Sequence, residues 1–179
     1  MMANKEIIYL GGGCFWCIES IFNLINGVEV VTSGYMGGTK NTANYRDVCS
    51  GDTEHAEVVK VVFDTNIISF SKILEIFFYV HDPTSLNRQG NDVGTQYRSV
   101  IFFSSENQLK VIESEISKVK IQSNKKIVTE VKRNMEFYEA EDYHNNYYNL
   151  NKSQPYCSLV ISPKISSFQK RFKEFIKDY

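Results

Sequence analysis

The sequence predicts one α+β domain, built as a ferredoxin-like two-layer core of sheet and helices with long functional loops. Apolar residues recur with the strand period in some segments and with the helical period in others, in the order strand, helix, two strands, helix, strand, helix, strand. The chain has 179 residues, which is enough to bury a sizeable core without staples. No repeat or low-complexity tract interrupts it, so residues 1–179 are assigned to a single domain.

The predicted elements alternate along the chain, and each has its own pattern. Short runs of β-branched and aromatic residues predict strands at 7–10, 28–35, 54–64, 97–104 and 127–131. Apolar residues on one stripe predict helices at 14–25, 70–80, 106–119 and 163–177. Pro83 ends the second helix, because proline cannot continue it.

Three polar segments separate these elements. The loops 39–53 and 84–95 are long and rich in turn-forming residues, and loops of that length in a compact domain usually have a function. Residues 149–162 are polar and include Pro155, and we expect them to form a mobile tail before the C-terminal helix 163–177.

Charge and hydropathy argue against several classes of function. A net charge of -1 and a pI near 6.3 give no electrostatic basis for binding nucleic acid or an anionic membrane. Residues 1–10 hold one short apolar run without a signal-peptide pattern, and no later segment approaches the roughly 20 apolar residues of a membrane span. We expect a cytoplasmic monomer with no bound cofactor.

The candidate nucleophile is Cys14, which follows three consecutive glycines, 11–13, and begins a predicted helix. Glycines allow a tight turn, and the free N–H groups of a helix start favour a negative charge. Cysteines in such positions have their pKa lowered from about 8.5 to roughly 3.5–7.5. We therefore expect a thiolate at neutral pH.

Trp16 and Glu57 each allow two interpretations. On a helical wheel Trp16 points away from the apolar half, so it either packs under a loop or lines a pocket beside Cys14. On its strand Glu57 shares the parity of large apolar residues, and burial there would raise its pKa until it could donate a proton near pH 7. Alternatively, Glu57 reaches water or pairs with Arg46 or Arg98, and the strand phase by itself slightly favours this second interpretation.

The four cysteines are predicted to be reduced, since no secretory signal accompanies them. Cys49 is the first to which we assign the role of a small buried apolar residue. A single Cys-x-x-Cys without a second ligand pair argues against a metal site. His144 is predicted to be a structural hydrogen-bonding residue, and Tyr97 a packed aromatic with one hydrogen bond.

Together these motifs resemble the A-type peptide methionine sulfoxide reductases. The resemblance rests on segments in family order across nearly the whole chain, at 13–16, 34–38, 45–57, 81–84, 87–99 and 137–144. The run 87–99, Asn-Arg-Gln-Gly-Asn-Asp-Val-Gly-Thr-Gln-Tyr-Arg-Ser, is too long to match by chance.

This resemblance implies a reaction and assigns residues to it. Cys14 would attack the sulfoxide sulfur of an oxidised methionine in a protein, or of the free amino acid, which releases methionine and leaves a sulfenic acid. Glu57 matches the family's proton donor, and this implication replaces the preference from strand phase. Tyr45 and Tyr97 match the tyrosines that hydrogen-bond the sulfoxide oxygen. Asp92 matches the acid that orients the ligand, through water.

The resemblance also implies a specificity and a second step. Phe15 and Trp16 would form the apolar pocket for the substrate methyl group, and the family takes the S epimer. The sequence departs from the commonest family pattern at Cys17, where many relatives have glycine. Either Cys17 or Cys157 is expected to form the disulfide with Cys14, with Cys17 slightly ahead, and thioredoxin would reduce it.

Two other classes of function use the same residues. A thioredoxin-like dithiol-disulfide oxidoreductase would employ Cys14 and Cys17, but that fold places tryptophan before the first cysteine and a cis-proline opposite the pair. Here Trp16 lies inside the motif, and the prolines are Pro83, Pro155 and Pro163. A non-catalytic module that recognises oxidised methionine or senses redox state is the second alternative.

Overall fold

The structure is a computed structural model that describes residues 4–178. Its strands are β1 Lys5–Gly11, β2 Val28–Met36, β3 Ala56–Asp64, β4 Arg88–Gln89, β5 Asp92–Val93, β6 Val100–Phe103, β7 Glu130–Arg133 and β8 Phe137–Glu139. Its α-helices are α1 Phe15–Phe22, α2 Tyr45–Ser50, α3 Phe70–Val80, α4 Glu106–Ser123, α5 Tyr147–Leu150 and α6 Ser162–Arg171. The prediction for residues 1–10 rests in part on residues 1–3, which lie outside the described residues.

Six strands form one sheet in the order β7-β6-β1-β3-β2-β8. The four central strands, β6, β1, β3 and β2, pair antiparallel. Along the chain, α1 lies between β1 and β2, and α3 lies between β3 and β6. This is the βαββαβ arrangement of the ferredoxin-like fold, so the predicted fold class is confirmed. β7 adds parallel to β6 at one edge, and β8 adds antiparallel to β2 at the other.

The main core lies between one face of this sheet and the helices. Fully buried aromatic side chains meet there, among them Phe22 of α1, Phe63 of β3, Phe77 of α3 and Phe168 of α6. Burying a side chain of this size contributes about 1.5–3 kcal/mol. A smaller apolar cluster around Phe102 lies on the opposite face. Within residues 4–178, no helix combines the length and the apolar character needed to cross a bilayer.

Local hydrogen bonds change two of the predicted elements. The loop predicted at 39–53 contains α2, because the Asn44 side chain accepts from the Asp47 N–H at 3.0 Å and caps the helix start. Gly51, at φ 84°, ends that helix in a left-handed conformation. Tyr97 lies in a 3-10 turn, so the strand predicted from residue 97 begins at Val100.

The C-terminal region folds back against α1. The last helix ends at Arg171 rather than at residue 177, and Ile176 then forms a bridge with Ile25. The segment 149–162 contains a π-helical turn, Cys157–Ile161, in which Cys157 is fully buried. The segment is therefore packed in this structure, and its mobility stays a prediction.

Candidate active site

Cys14 lies at the junction of β1 and α1, in the predicted glycine turn. Gly13 adopts φ 92°, a conformation that favours glycine, and its N–H donates to the carbonyl of Tyr97 at 3.1 Å. Cys14 is the N-cap of α1, and its side chain makes no capping hydrogen bond. Only 8% of Cys14 is exposed. Cys14 is thus almost completely enclosed.

The carboxyl group of Glu57 lies beside Cys14, on the helix-covered face of the sheet. It shares this face of β3 with the fully buried Val59 and Val61, as the strand phase predicts. Its Oε2 accepts a hydrogen bond from the Phe15 backbone N–H at 3.0 Å. Burial raises the pKa of Glu57 to about 8, although that hydrogen bond acts in the opposite direction. Glu57 is therefore mostly a neutral acid at pH 7.

The alternative environment for Glu57, water or an arginine, is not found. Glu57 is 1% exposed, so its carboxyl does not reach water. Arg98 pairs instead with Glu130 at 3.3 Å and donates to the carbonyl of Glu54 at 3.0 Å. Arg46 is exposed.

The protonation state of Cys14 differs from the prediction. Burial raises the pKa of the Cys14 thiol well above its ordinary value, and the nearby Glu57 raises it further. The nearby backbone N–H of Trp16 lowers this pKa, but by less. The predicted resting thiolate is therefore wrong, because the loss of water outweighs the effect of the helix start. Cys14 rests as a thiol next to a neutral carboxylic acid.

Two tyrosines lie close to this pair. Tyr45 begins α2, Tyr97 lies in the turn before β6, and both are half-buried. Burial is the largest cause that raises their pKa values, and Glu57 and Cys14 raise both as well. The Tyr97 carbonyl accepts from the Gly13 N–H at 3.1 Å, and the Tyr45 ring lies 6.5 Å from the Trp16 indole between centroids, so both tyrosines border the turn that holds Cys14. Both phenols stay protonated, and can donate hydrogen bonds, at pH 7.

Asp92 enters the site from the β4–β5 hairpin. Its Oδ2 accepts a hydrogen bond from the Tyr156 hydroxyl at 2.7 Å. Asp92 is also one of the charges that raise the pKa values of Cys14 and Glu57. A cleft of about 510 Å³ borders both Asp92 and Tyr156. The structure thus brings the predicted acid to the site together with a tyrosine that the sequence did not predict.

Trp16 belongs to an aromatic cluster next to the thiol. Its half-buried indole stacks on Tyr147, with ring centroids 3.7 Å apart and planes 5° apart. Tyr156 meets it edge-on at 6.0 Å, and Tyr45 lies near parallel at 6.5 Å. Phe15 is fully buried, 6.4 Å from the indole between centroids. Trp16 therefore both packs under the C-terminal segment and borders the site.

Sequence reasoning missed Tyr147 and Tyr156 as site residues. Both come from the polar C-terminal segment, whose side chains follow neither the strand nor the helical period. Two signals could have indicated them: the high density of aromatic residues at 137–148 and the tyrosine directly before Cys157.

All four cysteines are free thiols. Cys17 is 5% exposed, and its sulfur lies 3.8 Å from the Tyr156 hydroxyl oxygen. The buried Cys157 is close enough to influence the pKa of Cys17. The prediction that Cys49 is buried is wrong, because α2 turns its side chain outward, one turn from Tyr45.

Two further features bear on the alternative functions. Within the described range 4–178, no group of three or more His, Cys, Asp or Glu residues has an arrangement that could hold a metal ion. The same range has no cis peptide bond. A thioredoxin-like site with its cis-proline is therefore not present in the described part of the chain.

Comparisons with known proteins agree with one another. A family model described as peptide methionine sulfoxide reductase matches residues 6–176. The chain is 54% identical over 172 residues to the peptide methionine sulfoxide reductase MsrA of Saccharolobus solfataricus. The aligned region covers 96% of this chain and 97% of that protein.

Solved structures give the same result. The chain is similar to reduced Mxr1 from Saccharomyces cerevisiae, with a TM-score of 0.79 and 33% identity over 86% of this chain and 89% of the other. A structure of Mxr1 in complex with Trx2 has the same fold, with a TM-score of 0.56 and 22% identity over 80% and 84% of the two chains.

Proposed function

Because the chain belongs to the peptide methionine sulfoxide reductase family, we propose that Cys14 takes the oxygen of a methionine S-sulfoxide while Glu57 supplies a proton. The protein is an oxidoreductase that reduces peptide methionine sulfoxide. Its substrates are oxidised proteins and peptides, and free methionine sulfoxide as well.

The first step moves one oxygen atom between two sulfur atoms. The Cys14 sulfur attacks, the oxygen leaves the substrate sulfur, and the products are methionine and a sulfenic acid on Cys14. The substrate sulfur is reduced and the Cys14 sulfur is oxidised. The thiol proton must leave, and the oxygen must gain a proton as its bond to the substrate breaks. Glu57 does both, since it gives its own proton to the oxygen and accepts the thiol proton.

The position and charge of Glu57 are the observation that carries this proposal. Its carboxyl accepts a hydrogen bond from the N–H of Phe15, the residue directly after Cys14, and is thereby held at the first turn of α1. With a pKa of about 8, it carries a proton at pH 7 and loses it readily to a developing oxyanion. A carboxylate exposed to water would have no proton to give at that pH.

Specificity comes from groups on two sides of the sulfur. The Tyr45 and Tyr97 hydroxyls hold the sulfoxide oxygen, and Asp92 orients the substrate through water. The aromatic cluster around Trp16 takes the methyl group, together with Phe15 beneath it. A sulfoxide sulfur carries three different groups, so only the S epimer can present its oxygen to the tyrosines while its methyl group enters the cluster.

The second step restores the enzyme. The thiol of Cys17 or Cys157 displaces the hydroxyl group of the sulfenic acid, which leaves as water, and a disulfide with Cys14 forms. Cys17 is one helical turn from Cys14, whereas Cys157 must leave its buried position. A thioredoxin then reduces the disulfide, by analogy with Mxr1, which forms a complex with Trx2.

A single-turnover experiment tests the assignment of Cys14. With Cys17, Cys49 and Cys157 all replaced by serine, the protein is mixed with a methionine S-sulfoxide peptide and a sulfenic-acid probe of the dimedone type. We expect one methionine per chain and one probe adduct, on Cys14, by peptide mass mapping. Methionine release without an adduct on Cys14 would contradict the proposal.

A further inference from the structure

A buried polar network contacts the edge of the Trp16 indole and takes no part in the steps above. The indole Nε1–H donates a hydrogen bond to Nδ1 of His144 at 3.0 Å. His144 is fully buried, at the end of the 3-10 turn Asp142–His144. Its ring lies 5.0 Å from that of Phe15 and 4.6 Å from that of Tyr45, between centroids.

The direction of this hydrogen bond fixes the tautomer of His144. An indole N–H can only donate, so Nδ1 carries no proton, and the neutral ring has its proton on Nε2. Burial lowers the pKa of His144, which keeps the ring neutral at pH 7. Nε2 has no hydrogen-bond partner within residues 4–178, and Oε2 of Glu141 lies 3.5 Å from it. Nδ1 is thus occupied and the ring is enclosed, so His144 is available neither as a base nor as a ligand.

Glu141 lies next to this imidazole and joins two other parts of the site. Its Oε2 accepts from the Tyr35 hydroxyl at 2.8 Å, and its Oε1 accepts from the Tyr45 backbone N–H at 2.8 Å. Burial acts to raise the pKa of Glu141, but the hydrogen bonds that it accepts outweigh burial, so the pKa is lowered. One carboxylate therefore joins β2 to the first residue of α2, and it lies 3.5 Å from the imidazole without a hydrogen bond to it.

We infer that His144, through its hydrogen bond to the indole and its packing on Tyr45, is a positioning residue that holds Trp16 beside the start of α2, where Glu141 holds the Tyr45 N–H. Through them the methyl site and the Tyr45 hydroxyl keep a fixed relative geometry before substrate arrives. This inference rests on the proposed function, which gives Trp16 and Tyr45 their tasks. Small displacements of groups that orient a substrate cost large factors in rate, so a locked pair has a measurable advantage.

Three substitutions separate this role from simple packing. In His144→Leu the side chain has no acceptor, whereas His144→Asn keeps an oxygen near the position of Nδ1. We expect kcat/KM for a methionine S-sulfoxide peptide to fall about tenfold in His144→Leu, the effect of one lost buried hydrogen bond, and to recover within about threefold of wild type in His144→Asn. Trp16→Phe keeps an aromatic ring but has no N–H.

The Trp16→Phe background shows whether His144 acts through the indole. If it does, adding His144→Leu to Trp16→Phe causes no further loss of kcat/KM. If the two losses multiply, His144 acts independently of the indole and the inference is overturned.

The second readout needs no catalysis. Trp16 is the single tryptophan of the chain, so its indole N–H gives one resonance in the NMR spectrum of the free protein. We expect this proton to exchange slowly with water in wild type and in His144→Asn, and to shift and exchange rapidly in His144→Leu. Should His144→Leu unfold on heating too early for the measurement, His144→Gln serves instead, because its amide reaches the Nε2 position and leaves the indole unpaired.

An indole resonance unaffected by both of these replacements would overturn the inference. That result would say nothing against Cys14 chemistry, since it is obtained without sulfoxide. Conversely, a protein without sulfoxide turnover could still give the expected indole spectra, so failure of the inference and failure of the proposed function are distinguishable.

Discussion

The carboxyl of Glu57 accepts a hydrogen bond from the backbone N–H of Phe15 at 3.0 Å, one residue beyond Cys14. The bond fixes the direction of the acid at the start of α1. Burial raises the pKa of Glu57 to about 8 in spite of that bond. Glu57 is therefore protonated and oriented before a sulfoxide binds.

The pH dependence of activity follows from this pKa. The proposed donor must be protonated, so kcat/KM of wild type is expected to stay level below pH 8 and to fall above it as Glu57 ionises. The amide of Glu57→Gln cannot supply a proton, so we expect kcat/KM to fall about 10²- to 10⁴-fold and to show no decrease at alkaline pH. Dithiothreitol-driven assays from pH 6 to about pH 9.5 measure both. The same alkaline fall in Glu57→Gln would assign it to another group.

Glu57 should also lower stability as the pH rises. Its pKa is raised in the folded state from an ordinary 4.5 to about 8, so the folded protein binds more protons than the unfolded chain between these values. The free energy of unfolding of wild type then decreases with pH in this window, by at most about 1.4 kcal/mol per pH unit. Glu57→Gln removes this decrease.

Urea unfolding at pH 5, 6.5 and 8 (values bracketing roughly that window) measures the stability effect. We expect the free energy of unfolding of Glu57→Gln, relative to that of wild type, to increase at each higher pH. Glu113→Gln, an exposed position on α4, is the matched control and should follow wild type. A constant difference between Glu57→Gln and wild type across the range would show that the carboxyl is not desolvated.

The tyrosine hydroxyls are expected to matter for turnover. Tyr45→Phe and Tyr97→Phe each remove one donor to the sulfoxide oxygen, and we expect losses on the order of 10²-fold in kcat. Tyr148→Phe is the control, because its hydroxyl contacts Ser162 at 3.0 Å and has no part in the proposed steps. Steady-state kinetics with one S-sulfoxide peptide compares them. Equal activity of all three variants would remove the tyrosines from the mechanism.

The disulfide formed during turnover identifies the resolving cysteine. Protein mixed with methyl sulfoxide substrate and no reductant should contain a disulfide from Cys14 to Cys17 or to Cys157. Cys17→Ser and Cys157→Ser then show which one supports thioredoxin-dependent turnover, and Cys49→Ser should leave it unchanged. Peptide mapping decides the matter, and a Cys14–Cys49 bond would contradict both assignments.

Part of the site could be predicted because its signal is local. The glycine run places Cys14 at a helix start, and the alternation along β3 puts Glu57 on the same parity as Val59 and Val61, which by itself leaves its burial open. The α+β class follows from the same two periodicities, whereas the connectivity of the sheet does not. These features depend on residues that are neighbours in sequence, so a reading of the chain recovers them.

The remainder depends on contacts between distant segments. The raised pKa of Cys14 results from enclosure of the sulfur, a consequence of tertiary packing that no local pattern records. Tyr147 and Tyr156 approach Trp16 across more than half of the chain. Cys49 faces outward only because a short capped helix forms inside what reads as a loop.

The most direct test compares the two separated epimers of a methionine sulfoxide peptide, with dithiothreitol as reductant. Wild type is expected to reduce the S epimer alone, Cys14→Ser to reduce neither, and Glu57→Gln to retain only a small fraction of the wild-type rate on the S epimer. Turnover by Cys14→Ser, or reduction of the R epimer by wild type at a comparable rate, would contradict oxygen transfer to Cys14 in a site shaped for one epimer.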